Sequence, residues 1–245
     1  MTFRAPIFLV LAATLACDKE PPKVESSTTA AAVPSAPATP VVVLPKPPVI
    51  RVDDKFCSVN GEQVDLTLPD AKGRIGAILI GAPLVAGEIV EFDAPRDAHT
   101  PKVAALVAAL KKAKAKGVVA RTPGRDGTMG TLPLVFEHAA IAPCTVSASI
   151  GKDGSISVWP AGGGGSQRFT HGFAGPDLTL GGAAIRKGAA TCDSQLFVVG
   201  GEDNITWGLT FDLAMAIKSS PLPGGRASQT ILHTDPPTPG HKVDE

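Results

Sequence analysis

The stretch CTVSASIGKDGSISVW, residues 144–159, decides how the chain is read. Val146, Ala148 and Ile150 alternate with small polar residues, the period of a strand with one buried face. Gly151-Lys152-Asp153-Gly154 then carries turn chemistry, and residues 155–159 (SISVW) form a return strand. The pattern predicts a hairpin.

Downstream, residues 161–175 (AGGGGSQRFTHGFAG) are too glycine-rich to order cheaply and predict a loop or mobile insertion. They are no phosphate-binding loop, since no Gly-Lys-Ser/Thr follows. Asp177 to Lys187 has a modest helical pattern. Residues 194–199 (SQLFVV) predict a strand, 200–204 (GGEDN) an acidic loop, and Thr206 to Lys218 a helix with Trp207, Phe211 and Ala214 along it. Thr230 to Leu232 supplies a last strand.

Upstream, Asn60-Gly61 predicts a small hairpin between Phe56–Val59 and Val64–Leu68. Ile75 to Ile80 (IGAILI) reads as a buried strand and Glu88 to Phe92 as an alternating one. Residues 101–116 form the clearest helix. Thr100 caps it and Pro101 suits its first turn. Val103, Leu106, Val107 and Leu110 give it one apolar face, lysines crowd its last turns, and Gly117 stops it. Gly117 to Ala120 predicts a short strand and 121–127 a loop. Thr128 is read as the cap of a second helix through Leu132, Leu134, Val135 and His138.

Two passages share an order of events: VVARTPGRDGTMGTLPLVFEHA from Val118 and FVVGGEDNITWGLTFDLAMAI from Phe197. Each pairs valines, then places an acidic loop (Asp126, Asp203), then Thr, a bulky residue and Gly. The fold expected is α+β, with two similar small units, each a short mixed sheet with helices packed on one face. The units span residues 51–143, degenerate, and 144–235.

The second unit resembles the periplasmic domain of ExbD/TolR-type biopolymer transport proteins. Its carriers are the hairpin Cys144–Trp159 and the strand, Glu202-Asp203 turn and helix within Gln195–Ile217. The resemblance implies a cell-envelope domain. Members of that family carry a transmembrane helix with an aspartate needed for proton-driven work. Here Asp18 lies outside the short apolar run, so the motor role is not implied.

Residues 1–17 (MTFRAPIFLVLAATLAC) have a basic start at Arg4, an apolar run from Pro6 to Ala16, and then a cysteine. This is the shape of a secretion signal, too short for a comfortable permanent span. Leu15, Ala16 and Cys17 resemble the lipobox of bacterial lipoproteins, with Thr14 where a leucine is usual. The resemblance implies cleavage before Cys17 and lipidation of Cys17, with acyl chains such as palmitate holding the protein to a membrane. The alternative is an ordinary signal peptide and a plain thiol. Residues 18–50 are Pro/Ala-rich and predict a disordered tether, partly polyproline II. Residues 236–245 predict a disordered tail.

Of 245 residues, 23 are Lys or Arg and 23 Asp or Glu, so net charge is zero and nothing points to nucleic acid. Tyr is absent and aromatics are 4%, which leaves little for stacking sugars or bases. With Cys17 lipidated, Cys57, Cys144 and Cys192 remain as candidates for one disulfide and one spare thiol, and the sequence leaves all three pairings open. Their wide spacing disfavours zinc. His99, His138, His171, His233 and His241 form no close ligand pair. Ser155 and Ser166 sit in no nucleophile elbow. Asp126, Glu202 and Asp203 could bind a cation or be solvated loop residues.

No catalytic residue, metal or cofactor is therefore assigned. The function expected is that of a lipid-anchored, non-enzymatic protein of the bacterial envelope, facing the periplasm or the outer surface. It would bind an envelope protein or the cell wall. A small-solute binding protein and an envelope enzyme are the alternatives.

Overall fold

The computed structural model describes residues 45–170, 172, 175–219, 227–235 and 238–243. The expected signal peptide, Cys17 and most of the tether lie outside these residues.

Eleven strands form one continuous sheet. In chain order they are β1 (Ile50–Val52), β2 (Phe56–Val59), β3 (Glu62–Asp65), β4 (Ile89–Asp93), β5 (Gly117–Pro123), β6 (Met129–Val135), β7 (Val146–Ile150), β8 (Ile156–Pro160), β9 (Gln167–Phe169), β10 (Leu196–Gly201) and β11 (Gln229–Leu232). The spatial order is β3-β2-β1-β4-β5-β6-β11-β10-β7-β8-β9. Four helices, α1 (Ala71–Gly81), α2 (Thr100–Lys112), α3 (Leu178–Ala190) and α4 (Trp207–Lys218), pack against it in the order α1-α2-α4-α3.

The sheet is single, where the sequence predicts two. The join is β6. It pairs antiparallel with β5 along its whole length and parallel with β11 at Thr230↔Leu134. Two separate sheets would each leave an unpaired inner edge, and β6 fills both. One core cluster runs under the whole length, from Cys57 and Val64 through Phe92, Leu132 and Phe197 to Ile156, and it includes residues of all four helices. The helices therefore share one face of one sheet.

Connectivity does recur along this sheet. A three-strand meander, a helix, a parallel strand, a helix and a further parallel strand occur as β1–β5 with α1 and α2, and as β7–β11 with α3 and α4. What recurs is threading within one sheet, not a separate body, and its register is not that of the Val118 and Phe197 passages. The first passage is the hairpin β5–β6, while the second is strand β10 followed by helix α4.

Several local expectations change: the helix expected to run to Lys116 ends at Lys112, and residues 121–123, expected as loop, continue strand β5. Ile75 to Ile80 lies in helix α1, because Ala71, Ile75 and Leu79 recur every four residues and, with Gly76, are the buried positions. A short apolar run does not choose helix or strand by itself. Residues 129–135 are strand β6 rather than helix. Pro133 would cost a helix interior about 3 kcal/mol, whereas Leu132 and Leu134 alternate into the core with Pro133 pointing out. Within the glycine-rich 161–175, Gln167–Phe169 pairs with β8 as an edge strand.

The two predicted hairpin turns form. Asn60 and Gly61 both have positive φ (52° and 90°), the geometry an Asn-Gly hairpin turn requires. At the second turn, Gly154 takes φ 73° and Asp153 accepts hydrogen bonds from the Ser155 backbone and hydroxyl. Residues 238–243, in the predicted tail, lie against Trp159 and Ala161.

Candidate interaction face

Residues paired across neighbouring strands point the same way, so the register defines the face without helices. Ser58, Arg51, Asp93, Arg121 and Thr131 form one row across β2, β1, β4, β5 and β6. Its charges neutralise one another: Asp93 pairs with Arg51 at 3.7 Å and Arg121 at 3.4 Å, and Arg121 reaches Glu91 at 3.8 Å. Exposed pairs of this kind contribute little stability, about 0–1 kcal/mol each. Beside the row lies a groove of about 620 Å³ between the Lys46–Val49 segment and β4, with Pro47, Pro48, Leu84 and Ile89 in its walls. Val49 and Ile89 are 60% and 61% exposed. Val49 precedes β1 and Ile89 begins β4, so the two exposed aliphatic side chains stand at one end of the sheet.

The other half of the face is covered. Ile231, Val198, Ser147 and Trp159 form the corresponding row across β11, β10, β7 and β8. Trp159, Val198, Ala161 and Val243 make a small buried cluster, with Ile141 and Ile231 packed on it.

On the helical side the loops after β4 and β10 meet. His99 and Thr206 form an antiparallel bridge. The Thr100 N–H donates to the Ile205 carbonyl (2.8 Å), and the Trp207 N–H to the Ala98 carbonyl (2.6 Å). Helices α2 and α4 thus start from one shared bridge. The buried Thr100 and Thr210 hydroxyls bond at 2.9 Å, and Trp207 Nε1 donates to the Thr122 hydroxyl at 2.7 Å. Arg96 grips Asp212 through both terminal nitrogens (2.9 and 2.7 Å), and Arg125 Nε adds a third bond at 2.8 Å. Burial alone would raise the Asp212 pKa. The hydrogen bonds and charges of Arg96 and Arg125 outweigh it and pull it below the usual carboxylate value. Gly208 permits this approach, since a Cβ there would lie 2.8 Å from Arg96 Cβ. The seam is a structural clamp: its polar groups bond one another and none is aimed at an open cavity.

Two groups of the sequence-predicted chemical residues come together, Cys144 with Cys192 and Ser155, Ser166 and Glu202 around one depression, and the others stay apart. Cys144 and Cys192 form a disulfide, with Cα atoms 5.6 Å apart. Cys57 is a free, buried thiol whose pKa burial, aided by the Asp53 charge, pushes up to about 12. Asp126 is occupied by Thr128, whose hydroxyl and backbone N–H hold its carboxyl below the ordinary value. Glu202 accepts from the Lys152 N–H, while Asp203 borders a cleft with Leu66 and Lys102. Ser155 donates to Asp153 and accepts from Arg168, so it serves the β7–β8 turn. Ser166 shares a shallow polar depression with it. His99 pairs with Asp54, His138 and His233 bond nearby backbone carbonyls, and the His241 carbonyl meets Trp159. His171 lies outside the described residues. Among the described residues no three His, Cys, Asp or Glu side chains gather to hold a metal, and no helix is long and apolar enough to cross a membrane.

The residues that matter most on the two faces were not singled out in the sequence. Arg96 sits in a loop, and Asp212 is a lone acid within the apolar helix WGLTFDLAMAIK. The second is a usable signal, since an acid there needs a partner. Compared with known proteins, the chain matches no family model, no curated sequence and no solved structure.

Proposed function

We propose that this chain is a lipid-anchored cell-envelope protein, held to a membrane through acyl chains on Cys17, that acts by binding rather than by catalysis. Its partner is another envelope protein or the cell wall. The observation that carries the reading is the uncovered half-face around Ile89, Val49 and Arg121. The segment Lys46–Val49, at the end of the expected tether, lines this groove.

The Cys144–Cys192 disulfide supports placement outside the reducing cytoplasm. The test is photo-cross-linking in intact cells from a benzoylphenylalanine at Ile89 or Thr131, with Leu180 on helix α3 as control. One discrete partner captured from the first two positions and not from Leu180 supports the proposal. Equal capture from all three, or none, contradicts it.

A second reading is small-solute binding, favoured by a cleft of about 490 Å³ where β6 and β11 end. Its volume lies within the usual range for ligand sites. Val107, Phe136 and Ile141 give it apolar walls, with Lys111 and Asp235 at the border. A ligand there raises the melting temperature in proportion to the logarithm of its concentration.

A further inference from the structure

Residues 238–243 (TPGHKV) lie across the helix-free face as a strap. Three bonds to main-chain groups of the strap help to hold it. The Gly164 N–H donates to the Gly240 carbonyl at 2.9 Å, the Val243 N–H to the Ala161 carbonyl at 2.8 Å, and Trp159 Nε1 to the His241 carbonyl at 3.0 Å. Two side-chain positions are selective. Gly240 has φ +82°, and a Cβ there would stand 2.9 Å from the Gly164 carbonyl oxygen, so both conformation and space demand glycine. Val243, three residues on, is buried against Trp159, Ala161 and Val198.

The buried side chain of the strap, Val243, belongs to this small cluster, and Lys242 and Val243 also border the cleft beside Val107 and Phe136. Neither Val243 nor Trp159 is part of the main core beneath the helices. Lifting the strap would uncover Trp159 and leave the sheet and all four helices paired as they are. Residues 238–241 close a turn, the His241 N–H donating to the Thr238 carbonyl at 3.0 Å, so the surface holds a Pro-Gly turn, reads its glycine and buries an aliphatic side chain three residues later, which are the features of a short-peptide docking site.

We propose that the groove along Trp159 and residues 161–164 is an exchangeable peptide site. The chain's own residues 238–243 fill it in cis. A Pro-Gly-x-x-Val-type segment of a partner protein, turned at its glycine as residues 238–241 are, takes their place. This deepens the binding half of the proposed function and does not depend on lipid at Cys17.

The occupant in cis has the advantage of a high effective concentration, so the test weakens it first. In the full chain, Val243→Asp places a carboxylate in the apolar pocket and releases the strap. Tryptophan emission is then read. Trp207 is fully buried, and a Trp159→Phe version identifies its share of the signal. The expected result is a red shift from Trp159 with unchanged far-UV circular dichroism. A synthetic peptide of residues 238–245 should reverse the shift saturably. The same peptide with Gly240→Val should bind at least about ten-fold more weakly, the equivalent of about 1.4 kcal/mol.

No red shift in the variant, loss of its secondary structure, no response to the peptide, or equal response to both peptides would each overturn the proposal. Cross-linking from Ile89 reads the opposite half of the face. A failure here is therefore distinguishable from failure of the wider binding role.

Discussion

Asp212→Asn is the sharpest probe of the seam between the helices. The substitution keeps the shape of the side chain and removes the charge that Arg96 and Arg125 share. Asp212 is 15% exposed and Arg96 27%, so their bidentate pair is poorly screened. Arg125 is 63% exposed, and its bond is worth little by comparison. A net hydrogen bond to a charged group contributes about 1.5–3 kcal/mol, and the exposed contact adds about 0.5 kcal/mol. The expected loss is about 2–3 kcal/mol. For a domain of this size each kcal/mol moves the melting temperature by about 2–4 °C, so calorimetry should record a fall of about 5–10 °C. Arg125→Ala should shift it by no more than about 2–4 °C.

The pH dependence has a fixed sign. The folded pKa of Asp212 lies below its ordinary value, so its contribution is present above the unfolded pKa of about 3.9. It is lost as pH falls through the folded value. The gap between wild type and variant should be flat from pH 7 to about 5 and close below that. A fall of less than about 2 °C at pH 7, or a gap that widens on acidification, would refute the clamp.

Reducing the Cys144–Cys192 disulfide, whose ends are 48 residues apart, should cost about 4 kcal/mol on a chain-entropy account; the urea midpoint with and without reductant measures it. Cys57 should resist thiol reagents at pH 8 and react only as the protein unfolds, because its thiol is buried and protonated; a modification time course in native buffer and in denaturant decides this. Gly208→Ala should destabilise by about 1–3 kcal/mol, since the new Cβ falls 3.0 Å from the Arg96 carbonyl oxygen; thermal unfolding checks it. Asp153 should titrate at about 2 by carbon-detected NMR, and Ser155→Ala, which removes its largest stabilising hydrogen bond, should bring it up toward the ordinary value.

Elements with their own local chemistry were legible. Both hairpin turns, the body of α2, β10 and α4 could be read because turn residues and side-chain period agree there, although α2 begins at Thr100 with His99 in the cap position. The errors share a cause, which is that partner strands are not written locally. Residues 75–80 are apolar enough for either a buried strand or a helix, and only packing against α2 settles it. Pro133 did carry a local warning against a helix across 129–135. Taking it as a strand would have supplied β6, and with it the single sheet. The Arg96–Asp212 clamp joins residues 116 apart in sequence, and the Trp159 strap residues 82 apart. Neither separation leaves a periodic trace.

The functional account turns on residue 17. Cells supplied with a palmitate analogue that carries a clickable tag should yield a labelled protein in the membrane fraction. Its Cys17→Ser counterpart should be unlabelled and retain the uncleaved apolar leader. A wild-type protein that takes up no acyl label and fractionates away from membranes would contradict the account.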